Sequence, residues 1–475
     1  MEKPITKNIM LIIMNAFTRI GRQLSLGSQL LWLWRISAIS LVLLLIWVIG
    51  GNWLADQLER RMNREVSTYL EKFPRKEPND SALKLFTYMA QLGLHTGLEK
   101  TAFDSYGRYF REQPNLATNL TPRQRESFQS TLDEAKNYID SLPDFPDRKF
   151  SEIPESTKSY LSNQSSTLSS ISKYLTTGES PEWGSDLEFH TGSLDTVAPS
   201  YLSLADLSTL LLVNGVQKYK NDLQEEFLED LHASWIIHES LHKDSTLLLP
   251  QLVSTIVGGR QIKVLERIDT PASLLDKHLL NLNYRESIIK SIQNELFMVT
   301  TILARRPENI RLAWDPSSDL FFAAVQRIPQ VLMSPYIRLS AINAFYIQQG
   351  SLDRLLLESP CSSSEFSFDI PWWDGVAKII LPSFLHVPHR GTELMLRYEL
   401  LQKFWEIKAI ASSTGVWPQK MSAPESTVCP GERWDYTVQD NEMFITFSQT
   451  PDWLQVKIDE GTAAPLEYRR ALDQS

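Results

Sequence analysis

The stretch from Ile36 to Leu54, "ISAISLVLLLIWVIGGNWL", constrains this chain more than any other. It holds 19 residues without a charge. As a helix it would cover about 28 Å, close to the thickness of a bilayer core. Lipid offers no hydrogen-bond partners, so a spanning segment must satisfy its own backbone, which a single helix does. Trp32 and Trp34 precede the run, and Trp47 and Trp53 lie near its far end. Paired indoles at both ends suit the two membrane–water boundaries. A buried core helix of this length would carry polar positions, which the run lacks.

The flanks set an expected topology. Lys3, Lys7, Arg19, Arg22 and Arg35 precede the span, and Arg60, Arg61 and Arg64 follow it. The excess favours a cytoplasmic N-terminus and a body outside the cytoplasm. No Ala-x-Ala-like site follows the run and no cysteine lies near it, so an uncleaved anchor is expected rather than a signal peptide or a lipoprotein. Ile9 to Phe17 form a second apolar patch, too short to span. It would lie on the inner membrane surface or extend the anchor helix.

The remainder has the composition of a globular body, with 43% hydrophobic and 22% charged residues. Its net charge is -10 and it has no dense basic run. Nucleic-acid binding needs clustered Lys and Arg, so that class is set aside. Cys361 and Cys429 are the chain's two cysteines, which excludes cysteine zinc ribbons and iron–sulfur sites. In an oxidising compartment they are candidates for a disulfide; otherwise they are free buried thiols.

Apolar spacing predicts a mainly α-helical protein. Four parts are expected: a short cytoplasmic segment at 1–35, the transmembrane helix at 36–54, an α-helical extracytoplasmic domain at 55–410, and a small β-rich C-terminal unit at 411–475. A charged helical stalk should end at Pro74. Asn79 or Asp80 should cap the next helix. Further helices are predicted near 121–141, 155–176, 202–243, 245–266, 270–281, 284–306, 318–357 and 375–411. Within the serine-rich stretch, Leu161, Leu168, Ile171 and Leu175 keep a helical stripe. "WDYTV" and "MFITF" should form a hairpin turning at Asp440-Asn441, with "LQVKID" as a third strand.

One stretch carries a specific chemical pattern. "HESLH", His238 to His242, fits His-Glu-x-x-His, which on a helix can present two zinc ligands and a general base. In that reading His238, His242 and Glu266 hold zinc, and Glu239 activates the water. The helical wheel puts both histidines in the middle of an apolar stripe with Phe227, Leu231 and Trp235, with Leu223 and Leu241 at its edges. That placement suits neutral core histidines equally well. Charged Lys243 and Asp244 follow the second histidine where zinc-peptidase helices keep uncharged residues, and no Gly-x-x-His supplies a third ligand. The packed-helix reading is therefore preferred, with no cofactor.

Other stretches are weaker. "HVPH", with His386 and His389, reads as a surface loop because Pro388 interrupts it. "PWWDG" (Pro371 to Gly375) reads as one core Trp beside one partly buried Trp; sugar stacking or a membrane surface is the alternative. "GGR" (Gly258 to Arg260) reads as a helix terminator. There is no Walker A, nucleophile-elbow or dinucleotide pattern.

The anchor together with "NDSALKLFTYMAQLGL", "TLLLPQLVSTIV", "ASSTGVWP" and "CPGERWDY" resembles an uncharacterised family of single-pass, membrane-anchored helical bacterial proteins of unknown function. The resemblance carries no functional residues, and it implies an ordinary packed helix before "TLLLPQLV". "STGVWP" is also similar to the Gly-x-Tyr-Pro stretch of pseudopilins, but the anchor lies too far from it for that fold. The expected role is that of a structural or interaction protein of the inner membrane, working with other envelope proteins. The alternatives are an anchored zinc metallopeptidase and a helical module binding a lipid or peptide.

Overall fold

The computed structural model describes residues 28–74, 76–95, 121–142, 150–184, 200–243, 247–268, 282–308, 329–362, 367–384 and 386–471. The expectations for Ile9 to Phe17, for the N-terminal basic residues before Ser28, for the 270–281 helix and for the start of the 318–357 helix lie outside the described residues.

The chain is mainly helical, with one long apolar N-terminal helix and a small antiparallel sheet at the C-terminal end. Helix α1 (Ser28–Leu70) joins the apolar run and the predicted stalk without a break. It is long and apolar enough to cross a membrane. Ile36, Ile39, Val42, Leu43, Ile46 and Ile49 on it are exposed, whereas Ala55, Met62 and Val66 beyond the run are fully buried.

Helices α2 (Asp80–Gln91), α3 (Pro122–Asp140), α4 (Glu155–Asn163), α5 (Ser165–Thr177), α6 (Tyr201–Lys220), α7 (Gln224–Lys243) and α8 (Leu248–Leu265) follow. With α12 (Val387–Thr414) and the sheet they enclose one apolar core, centred on residues such as Phe86, Leu204, Trp235, Val257 and Phe404. Helices α9 (Tyr284–Arg305), α10 (Gln330–Leu357) and α11 (Gly375–Ile380) build a second core on the buried end of α1. Cys361, just after α10, is bonded to Cys429, which lies ahead of the sheet in the first core, with Cα atoms 5.5 Å apart.

Sequence capping rules hold where they are local. Asn79 caps α2, its side chain accepting from Ala82 N at 2.9 Å. Thr121 and Gln124 form a reciprocal capping box on α3. Leu161, Leu168, Ile171 and Leu175 are all buried, as their stripe predicts, but Gln164 divides their helix into α4 and α5. The predicted 202–243 helix is likewise two, because Asp222 turns the chain at φ +60°. A short polar side chain is one of the few that tolerate this left-handed backbone.

β1 (Trp434–Gln439), β2 (Glu442–Phe447) and β3 (Glu467–Ala471) form an antiparallel sheet in that order. Asp440 and Asn441 make the hairpin turn with φ of +49° and +66°, matching the right-handed strand twist. The "LQVKID" stretch is not the third strand: it lies in α13 (Asp452–Asp459), with Leu454 buried and Val456 exposed. Pro451 stands at the N-cap, where its missing N–H costs the helix nothing, and Asp452 puts an acid in the first turn, which the helix dipole favours. The true third strand reads "EYRRA". Its inward Tyr468 packs on Phe404 with ring centroids 4.0 Å apart, and its outward Arg469 bonds Glu442 of β2 at 2.7 Å.

The second core fixes α1 to the body. Trp47 Nε1 donates to Leu332 O at 2.9 Å. A Cβ on Gly51 would stand 2.8 Å from Pro335 Cβ, so the helices cross as closely as glycine allows. Arg338 donates to Asn52 Oδ1 (3.2 Å), Asp56 Oδ1 (2.5 Å), Glu59 Oε2 (2.6 Å) and the Ala304 carbonyl (3.1 Å). Tyr346 donates to Glu65. These pairs rise together, so α1 and α10 run parallel. α9 runs the other way: Asn294 meets Tyr69, and Arg305 nearer its end meets Asn63.

Candidate functional site

The HESLH segment folds as predicted into the last turns of α7. Phe227, Leu231, Trp235, His238, Leu241 and His242 are buried, while Leu223 at the stripe's start is exposed. α8 passes directly over His238. A Cβ on Gly258 would stand 2.8 Å from His238 Cε1, 2.9 Å from Leu394 Cδ2 and 3.0 Å from the Tyr398 hydroxyl. Gly258 therefore lies in the middle of α8 and does not end it, contrary to the terminator reading of "GGR". It is a glycine because the helices approach too closely for a side chain.

His238 is fully buried and both of its ring nitrogens have partners. Nδ1 lies 2.7 Å from Gln261 Oε1 and Nε2 lies 2.9 Å from the Tyr284 hydroxyl. Gln261 Nε2 donates to Ser234 Oγ at 2.9 Å, so its carbonyl oxygen faces His238. An amide oxygen only accepts, so Nδ1 must carry the proton and Nε2 must accept from Tyr284. Ser234 continues to Ser208 at 2.7 Å, and Tyr398 donates toward Gly258 O and Gln261. This buried polar chain draws on five helices: α6, α7, α8, α9 and α12.

Burial sets its electrostatics. Desolvation pushes the His238 pKa down to about 3, against a weaker opposing effect of the Gln261 hydrogen bond. The Tyr284 hydroxyl is pushed well up, by burial first and then by Tyr398. Tyr398 is also pushed up by burial. At neutral pH the whole chain is uncharged, which is what a dry interior tolerates.

His242 lies beside His238 against the same Tyr284 ring, whereas Glu239 and Glu266 are placed apart from both. His242 has Ser287 Oγ 3.3 Å from its Nε2 and the Tyr284 ring 4.8 Å away, and burial lowers its pKa to about 4. Its Nδ1 is buried without a hydrogen-bond partner. Glu239 turns to Lys243 at 2.8 Å on the outer side of α7. Glu266 caps the end of α8 beside Arg267, five residues past Gln261. Among the described residues no three His, Cys, Asp or Glu side chains gather as a metal-ligand set. Chemically, the arrangement is a hydrogen-bonded clasp that fixes how α7, α8, α9 and α12 pack.

Two smaller sequence readings are corrected. His389 lies in the first turn of α12 rather than in a loop, and stacks on Trp453 at 4.5 Å. Pro388 does not prevent this, because a first-turn proline gives up no helical hydrogen bond. Neither Trp of "PWWDG" is core: Trp372 is 87% exposed and Trp373 45%. A charged and polar groove also runs along α3, lined by Arg125, Glu126, Gln129, Asp133, Glu134 and Asn137.

Sequence reasoning missed Gln261, Tyr284, Tyr398 and Arg338. They reach their partners from separate helices, and no spacing along the chain signals that. Gly50-Gly51 inside the apolar run was a usable signal, since small residues in such helices mark close approach. Comparison with protein-family models, with curated proteins and with solved structures finds no match to this chain.

Proposed function

We propose that this chain is a single-pass inner-membrane protein whose extracytoplasmic body acts as a scaffold or accessory component, binding other envelope proteins through its helix faces. The observation that carries this reading is the unbroken α1, mostly exposed and apolar along 36–54, touching α10 from Trp47 onward and built into the second core beyond the run. Cleavage after the run would sever Trp47 and Gly51 from α10, so an uncleaved anchor fits better than a released leader. The Cys361–Cys429 bond accords with an oxidising compartment. A span held to the body at several points passes any displacement of one to the other, which suits a part that positions its partners.

The test is carbonate extraction of membranes followed by crosslinking and co-purification of the full chain. Retention in the carbonate-resistant membrane fraction together with a stoichiometric envelope partner is expected. A full chain extracted into the soluble fraction would overturn the anchor. Zinc near one per chain, lost in both His238→Ala and His242→Ala, would replace the scaffold with a peptidase.

A further inference from the structure

We propose that the Trp372–Trp373 turn is a second membrane contact, seating both indoles in the headgroup layer on the body's side of the bilayer. This rests on the anchor reading for α1.

Three observations converge on it. First, the backbone of the turn that displays two large apolar side chains is fastened by a set of hydrogen bonds. Asp374, fully buried, accepts from Asn343 Nδ2 at 2.6 Å, from Ala377 N at 2.9 Å and from the Ser340 hydroxyl. Asp374 N donates to Pro371 O at 3.0 Å, closing the turn. The Tyr336 hydroxyl donates to Trp373 O at 3.0 Å and accepts from Gly375 N at 2.7 Å. The backbone is fastened while the indoles point outward.

Second, the turn stands at the right height. Tyr336, Ser340 and Asn343, which hold it, follow directly on Pro335, which touches Gly51. α10 runs parallel to α1, and Arg338 in the same stretch reaches Asn52, Asp56 and Glu59. The turn is therefore level with the end of the apolar run, where α1 passes from Trp53 to its first charges. Trp53 is 63% exposed there, and Val331 at the start of α10 is 64% exposed.

Third, the chemistry is that of the boundary layer. An indole joins a broad apolar body to one N–H donor, the combination enriched where acyl chains meet headgroups. The Lys378 ammonium bonds the Trp372 carbonyl at 2.9 Å, placing a cation beside the indoles where phosphates would stand.

The experiment uses the full chain in phosphatidylcholine vesicles, with a solvent-sensitive fluorophore on single cysteines and the native disulfide left oxidised. Labels go on Trp372→Cys, on Ile39→Cys within the run, and on Val456→Cys. The last is remote: Lys457 bonds Glu393 of α12, whose Gly391 packs on Tyr284 and Arg285 at the end of α9 opposite Arg305. Nitroxide lipids quench at the top of the acyl chains. Loss of emission at 372 and 39, with none at 456, is expected. Quenching at 39 but not at 372 overturns the second contact and leaves the anchor standing, whether the 372 label faces water or a second copy of the chain. Absence of quenching at both overturns the anchor along with it.

Discussion

The two cores solve the same problem with different chemistry. Around His238 the buried polar groups are neutral and lie wholly inside protein. Around Arg338 they are charged and lie at the edge, with the Arg338 side chain 13% and the Asp56 side chain 51% exposed. A neutral chain needs no counter-charge but is intolerant of protonation. A partly solvated guanidinium tolerates pH but feels salt. The first design holds a body together; the second lets a long helix be gripped where water is near.

The largest expected effect breaks the first design with acid. The folded-state pKa of His238 lies below its ordinary 6.5, at about 3. Its neutral form is therefore favoured by folding: the contribution is complete above pH 6.5 and is lost as pH falls toward 3. Over that window the cost is on the order of 5 kcal/mol. His242 and His389, both lowered to about 4 by burial, act in the same sense. Asp206, Asp230 and Glu295, raised chiefly by burial, act in the opposite one. Urea melts of wild type and His238→Gln between pH 7 and 4 should show a shallower acid loss in the variant. Identical slopes would mean His238 titrates normally.

Next come the two close crossings. Gly258→Val should destabilise the body by about 2 kcal/mol, because a branched side chain must displace His238, Leu394 or Tyr398. Gly51→Val strikes Pro335 instead, so it should loosen α1 from α10 at little cost to the first core. Hydrogen exchange resolves the two: faster exchange in α7 and α8 for the first variant, and in the start of α10 for the second. The smallest effect is electrostatic. Arg338→Gln should cost about 1 kcal/mol at low salt and less at 1 M, since both carboxylates it meets keep some solvent.

What the sequence made legible was local. Asn79, Asp440-Asn441 and the Leu161–Leu175 stripe act through neighbours a few residues away, and each did what its pattern predicts. The buried histidines were equally readable from the α7 wheel. Their partners were not, because Gln261, Tyr284 and Tyr398 come from other helices. β3 was hidden for a related reason. Its outward Arg469 pairs with Glu442 and lies over Phe444, 4.9 Å from the ring centroid, and its buried Arg470 lies over the Phe404 ring at 5.5 Å. Asn221-Asp222 was a turn signal that helical periodicity on both sides outweighed.

The Cys361–Cys429 bond also alters what a protease can do. It turns the intervening chain, including α11, the Trp372–Trp373 turn and α12, into a covalent ring. A single cut inside that ring opens the polypeptide without dividing the molecule. The sheet then remains tethered to the helix that carries the apolar run, and separate fragments emerge only after reduction.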